Sequence, residues 1–143
     1  VEMESRYEVE MEHYAKIINI EALTMLEMAR KQLLPAINSY MSELANTAAT
    51  KMAVSESLSV RSETKTLARL SKDADDMSDA IDALAAAERA AQALPDQAAK
   101  ANAFHDKVVP LMEALRAAAD DAETICGEDY WPLPSYSKML YYV

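Results

Sequence analysis

"QAAKANAFHDKVVPLMEALRAAADDAETIC", residues 97–126, decides the fold. Ala101, Phe104, Val108, Leu111, Leu115, Ala118, Ala122 and Ile125 recur in it three or four apart. A helical turn takes about 3.6 residues, so these side chains share one face. Their alternating steps are those of a bundle seam. Asp96 is a good cap, because its carboxylate can accept an orphan N–H of the first turn. Gly127 is placed to stop the helix in the usual C-terminal role. Pro110 lies inside the pattern, where proline removes a hydrogen bond and crowds the carbonyl four residues back. The apolar face continues in phase beyond it, so the reading is a kinked helix.

The same pattern extends towards the N-terminus. Residues 62–94 carry Leu67, Leu70, Ala74, Met77, Ile81 and Leu84 at seam spacing, and Pro95 ends them. "VSESLSVRSET", residues 54–64, is serine-rich and reads as a connection, with Ser62 as a cap. Residues 20–54 place Leu23, Leu26, Leu34, Ile37, Met41, Leu44 and Ala48 on one face, with Pro35 predicting a kink near 31–35. Residues 2–18 align Met3, Tyr7, Met11, Tyr14 and Ile18 on a strongly acidic segment. Asn19 either caps a new helix or is passed by a helix that runs through. "KQLLPAINSYMSEL" and "DKVVPLMEALRAA", around the two prolines, are weakly alike: two helices bent at matched heights could pack along their length, but chance similarity between amphipathic helices explains it as well, and no repeat is inferred.

The sum is an all-α fold. It is an antiparallel helical bundle of about four long helices, two of them kinked at Pro35 and Pro110, with an extended aromatic C-terminal tail packed on it. Short connections favour antiparallel neighbours. The 143 residues make one domain, and the single glycine leaves few positive-φ turns for a β fold. The formal charge of −10 repels phosphate and anionic lipid, so neither nucleic acid nor membrane is an expected partner. Cys126 is the only cysteine, which excludes an internal disulfide and makes a cytoplasmic location the simpler expectation. "VEMESRYEVEMEH" reads as beginning inside a helix, as in a fragment of a longer polypeptide.

No motif carries chemistry by itself. Glu10 and His13 have the E-x-x-H spacing of di-iron bundles, but the residue three before His105 is Asn102, so the second half of such a site is missing. A rim position is the stronger reading for both. Neither histidine has the surroundings expected of a phosphotransfer site. "KDADDMSDAIDAL" lacks the glycine and terminal glutamate of a calcium loop and reads as a solvated helix face. Acidic neighbours disfavour a Cys126 thiolate. The nine methionines lie largely on or beside the apolar stripes and read as core. Catalytic, cofactor-binding and metal residues are therefore none.

The tail "EDYWPLPSYSKMLYYV", residues 128–143, holds the only tryptophan. Pro132 and Pro134 force an extended path. Trp131 and Leu133, two apart, then point the same way, and the expectation is that both lie on the bundle with Trp131 largely buried. Ser135 is read as the cap of a last short turn in which Met139, Leu140 and Tyr142 make a second contact. Trp131, Pro132, Leu133, Gly127, Pro35 and Pro110 are the residues singled out as structurally decisive.

The pieces "INIEALTM", "LLPA", "VVPLMEALR" and "DYWPLPSYSKML" are dictated by no helical period. With their surroundings they resemble the start and end of the C-terminal helical region of type III glutamine synthetases. Only residues 55–100 are too alanine-rich to add to the resemblance. It implies one domain of a longer enzyme that ligates ammonia to glutamate through a γ-glutamyl phosphate, using ATP and Mg or Mn, in a large double-ring homo-oligomer. It also implies that the ligands of that chemistry lie outside this segment. The partners expected are then the rest of the parent enzyme and its neighbouring subunits, and the role expected is structural, interdomain or in oligomer assembly. The rival readings are an independent helical-bundle adaptor and a four-helix metal enzyme.

Overall fold

The computed structural model describes residues 2–134 and 136–140, and the side chains of 6–134 and 138–140. Every regular element is helical: α1 (Glu2–Met28), a π-helical turn (Ala29–Leu33), α2 (Leu34–Val54), α3 (Arg61–Gln92), α4 (Gln97–Ala103), a second π turn (Phe104–Val108), α5 (Val109–Glu123) and α6 (Tyr136–Leu140). Helix α1 runs through Asn19 and, by way of the π turn, into α2. Helices α4 and α5 likewise form one rod. The four expected helical segments are present, two of them halves of a single bent rod. Helix α3 packs against α2 and α5, and α1 packs against α4 and α3. Short loops reverse the chain on either side of α3, which sets neighbouring rods antiparallel.

Both bends have the same construction. Each π turn begins six residues before a proline, at 29 for Pro35 and at 104 for Pro110. In each the next N–H reaches back five residues: Leu34 to the Ala29 carbonyl and Val109 to that of Phe104. The wider turn makes room where a proline ring would otherwise meet the carbonyl four residues behind it. Each turn also buries its first and last residues, Ala29 with Leu33 and Phe104 with Val108. The four-residue steps Ala29–Leu33–Ile37 exceed an ordinary helical turn, and the extra π residue takes up the drift. The likeness between the two proline segments is thus a shared local conformation.

The core follows the seams. Leu70, Met77, Ile81 and Leu84 of α3 are buried, as are Ala101, Phe104, Val108, Leu115 and Ala122 of the C-terminal rod. The N-terminal rod departs from its predicted stripe. Its buried face is Ala15, Ala22, Leu26, Ala29, Leu33 and Ile37, while Leu23 and Tyr7 are exposed. Small residues on α1 meet Ala101 of α4 within the same core, allowing the rods to approach, and Leu23 is carried round to the outside. Among the described side chains Met11 is the first large one packed against the core, and Tyr7 is 55% exposed.

Caps divide the same way. Asp96 accepts from the Ala99 N–H at 2.7 Å, as predicted. Ser62 is no cap: α3 begins after Val60, and the Ser62 hydroxyl donates to Glu63 at 2.9 Å. Glu63 is buried and paired with Lys51, joining the end of α2 to the start of α3. The Lys51 hydrogen bond, with help from the Glu63 backbone and Ser62, holds the Glu63 carboxyl down to about 2 from its ordinary 4.5. Its stabilising effect is therefore full above pH 4.5 and disappears as pH falls from 4.5 through about 2. Glu63→Gln should flatten the acid limb of a stability–pH curve across that window. Parallel curves for the variant and the parent would refute the pairing.

Candidate functional site

The tail is fixed by a specific set of contacts. Helix α5 ends at Glu123, with Thr124 in the right-handed helical region as its cap. Gly127 does not stop the helix in a left-handed conformation, since no described residue has positive φ. A Cβ there would lie 3.1 Å from Cε2 of Tyr40, so the glycine admits the Tyr40 ring. The Gly127 carbonyl accepts from the N–H groups of Tyr130 (2.9 Å) and Trp131 (3.1 Å), turning the chain. Tyr130 then packs its ring on Tyr40, with centroids 5.2 Å apart. Beyond this turn the chain alternates: Trp131 is buried, Pro132 exposed, Leu133 half-buried and Pro134 exposed. Trp131 is 9% exposed and belongs to the core, and its Nε1 has no acceptor among the described residues.

Leu133, Pro134 and Met139 close one side of a groove of about 330 Å³, whose other walls include Met25, Met28 and Leu115. Met139 borders this groove but is 56% exposed, and Leu140 is 75% exposed, so neither makes the buried second contact expected. The Met3 side chain, Ser135 and Tyr142 lie outside the described residues. Of the residues singled out, Gly127, Trp131 and Leu133 come together at the tail. Leu33, on the same bend as Pro35, lines the groove that Leu133 borders. Pro132, Pro35 and Pro110 are exposed, and the last two act through the bends they accompany.

The polar candidates are scattered. Glu10 and His13 are exposed on α1. His105 is exposed too, with Nδ1 at 2.7 Å from Asp106 and its ring 6.4 Å from that of Tyr14. Among the described residues no group of three or more His, Cys, Asp or Glu could hold a metal ion. Burial pushes the Cys126 thiol up, opposed by a hydrogen bond from the Gly127 backbone.

Asp73 was missed by the sequence reading. It is only 3% exposed, whereas Asp75, Asp76, Asp79 and Asp82 of the same acidic run are solvated. It occupies the seam between Leu70 and Met77, and its Oδ2 has no partner among the described residues. Burial raises its pKa above the ordinary 3.8, and the charge of Asp121, itself paired with Arg69, raises it further. The folded state therefore holds the Asp73 proton more tightly than the unfolded chain. The cost of the charged form is full above the folded pKa and is relieved as pH falls through it. Asp73→Asn should stabilise the fold at neutral pH by about 1–3 kcal/mol, by replacing a buried carboxylate charge beside Asp121 with a neutral amide whose NH2 can donate. The gain should vanish in acid, and a loss of stability at pH 7 would contradict this environment.

The fold and the site together define a helical bundle whose buried groups serve packing. No helix among the described residues is long and apolar enough to cross a membrane. Residues 1–52 match the model of the glutamine synthetase C-terminal domain. A glutamine synthetase of Butyrivibrio fibrisolvens is 32% identical over 140 residues, 98% of this chain and 20% of that protein. A type-3 glutamine synthetase of Dictyostelium discoideum is 28% identical over 149 residues, 99% of this chain and 20% of that protein. The chain is a C-terminal domain of the glutamine synthetase kind, and it spans about a fifth of the length of these relatives.

Proposed function

We propose that this chain is the non-catalytic helical domain of a type III-like glutamine synthetase. The parent would be a cytoplasmic homo-oligomer that ligates ammonia to glutamate with ATP and Mg or Mn. The domain's part is structural: it supports contacts between domains or subunits. One observation carries this reading. A chain matched along nearly its whole length to one fifth of such enzymes gathers its buried apolar residues into one packed core, and its histidines and Glu10 stand in solvent. A match of that extent also weighs against an independent adaptor.

The test separates catalysis from architecture. The isolated chain should show no ligase activity and no stoichiometric transition metal. Removing residues 1–143 from the parent should impair its assembly or stability, and its activity only in consequence. A truncated enzyme with its full oligomer and full activity would refute the proposal.

A further inference from the structure

Helix α1 has two apolar faces. The inner one, Ala15, Ala22 and Leu26, lies in the core. The outer one carries Val9, Ile17, Ile20 and Leu23, which are 60%, 41%, 64% and 47% exposed. Taken at about 100° per residue, Val9, Ile17 and Ile20 lie roughly 120–160° round the helix from the centre of the Ala15, Ala22 and Leu26 face, and Leu23 lies between the two, about 80° from it. Among the described residues no large apolar side chain of α3, α4 or α5 is exposed. The outer arc also carries the exposed Lys16 and His13, but its aliphatic side chains have no partner among the described residues of the bundle. The unpartnered surface is thus concentrated on the rod that the glutamine synthetase C-terminal model matches.

Size and charge select the occupant. Four half-exposed aliphatic side chains offer on the order of 200–300 Å² of apolar surface. A stable complex between free partners buries about 800 Å² on each. A tethered partner needs far less, because linkage supplies an effective concentration in the millimolar range. A second copy is further disfavoured by the formal charge of −10 on each chain. Glu10 and Glu21 stand exposed on one flank of the stripe, whereas Lys16 and Lys31 are already paired within the helix, with Glu12 and Glu27.

We propose that the outer face of α1 docks the catalytic part of its own glutamine synthetase polypeptide, through an apolar ridge on that part rimmed by lysine or arginine. This deepens the reading above and rests on it.

Hydroxyl-radical footprinting of the full-length enzyme, read by mass spectrometry, tests it. Side chains as exposed as these would label about twofold more slowly than in the urea-unfolded enzyme, whereas docked ones would label more slowly by at least about tenfold. Ile17, Ile20 and Leu23 should show the larger protection, unchanged by dilution to dissociated subunits. Twofold protection would overturn the proposal by leaving the face in solvent. Protection lost on dissociation would overturn it in favour of a neighbouring subunit. Deletion of residues 1–143 tests the underlying reading separately. If that deletion disrupts assembly while the stripe labels freely, only the docking proposal falls.

Discussion

Trp131→Ala is expected to destabilise the domain by about 3–5 kcal/mol, the range for removing a large aromatic side chain from a core. The reason lies in its surroundings. Trp131 is 9% exposed and shares the core with Cys126 and Leu115, held there by the turn at Gly127 and the Tyr130–Tyr40 contact. At this chain length each kcal/mol moves the thermal midpoint by about 2–4 °C, so the shift should approach or exceed roughly 10 °C. Trp131→Phe should cost much less, because the lost N–H has no acceptor among the described residues and an aromatic ring is kept. A loss under about 1 kcal/mol for the alanine variant would detach the tail from the core and place Trp131 at a partner surface.

Phe104→Ala is the second large effect. Phe104 is fully buried, opens the second π turn and supplies the carbonyl that accepts the Val109 N–H. That turn packs against both α3 and α1, and Phe104 is the largest fully buried side chain among the described residues. Truncation should cost about 3–5 kcal/mol by lost burial and a cavity that the close rods cannot collapse. Urea unfolding should show the midpoint falling with little change in slope. A cost near that of a surface substitution, about 0.5 kcal/mol or less, would mean that the bend is not a packing element.

The all-α fold was legible because most apolar residues obey one period. The seams around Leu70 to Leu84 and Phe104 to Ala122 are read directly from spacing, and the tail's alternation follows from Pro132 and Pro134. Leu23 was misplaced because hydrophobicity marks which residues prefer burial, not which helix face meets a close neighbour. There the contact is made by Ala15 and Ala22. Asp73 was missed for the complementary reason, since one acid in a run of five is the one at the seam. The π turns were only half legible. Proline announced a bend, but the five-residue hydrogen bond that accommodates it depends on burying Ala29 with Leu33 and Phe104 with Val108. Gly127 was singled out for a backbone freedom it does not use, because its close neighbour, Tyr40, is distant in sequence.

The claim at the centre is that this bundle serves architecture. The most direct measurement is the assembled mass of the full-length glutamine synthetase and of the same enzyme lacking residues 1–143, followed by mass photometry through a dilution series. An architectural domain predicts that the shortened enzyme falls to smaller species at concentrations where the full-length enzyme stays assembled. Identical masses across the series, with activity per subunit unchanged, would contradict it.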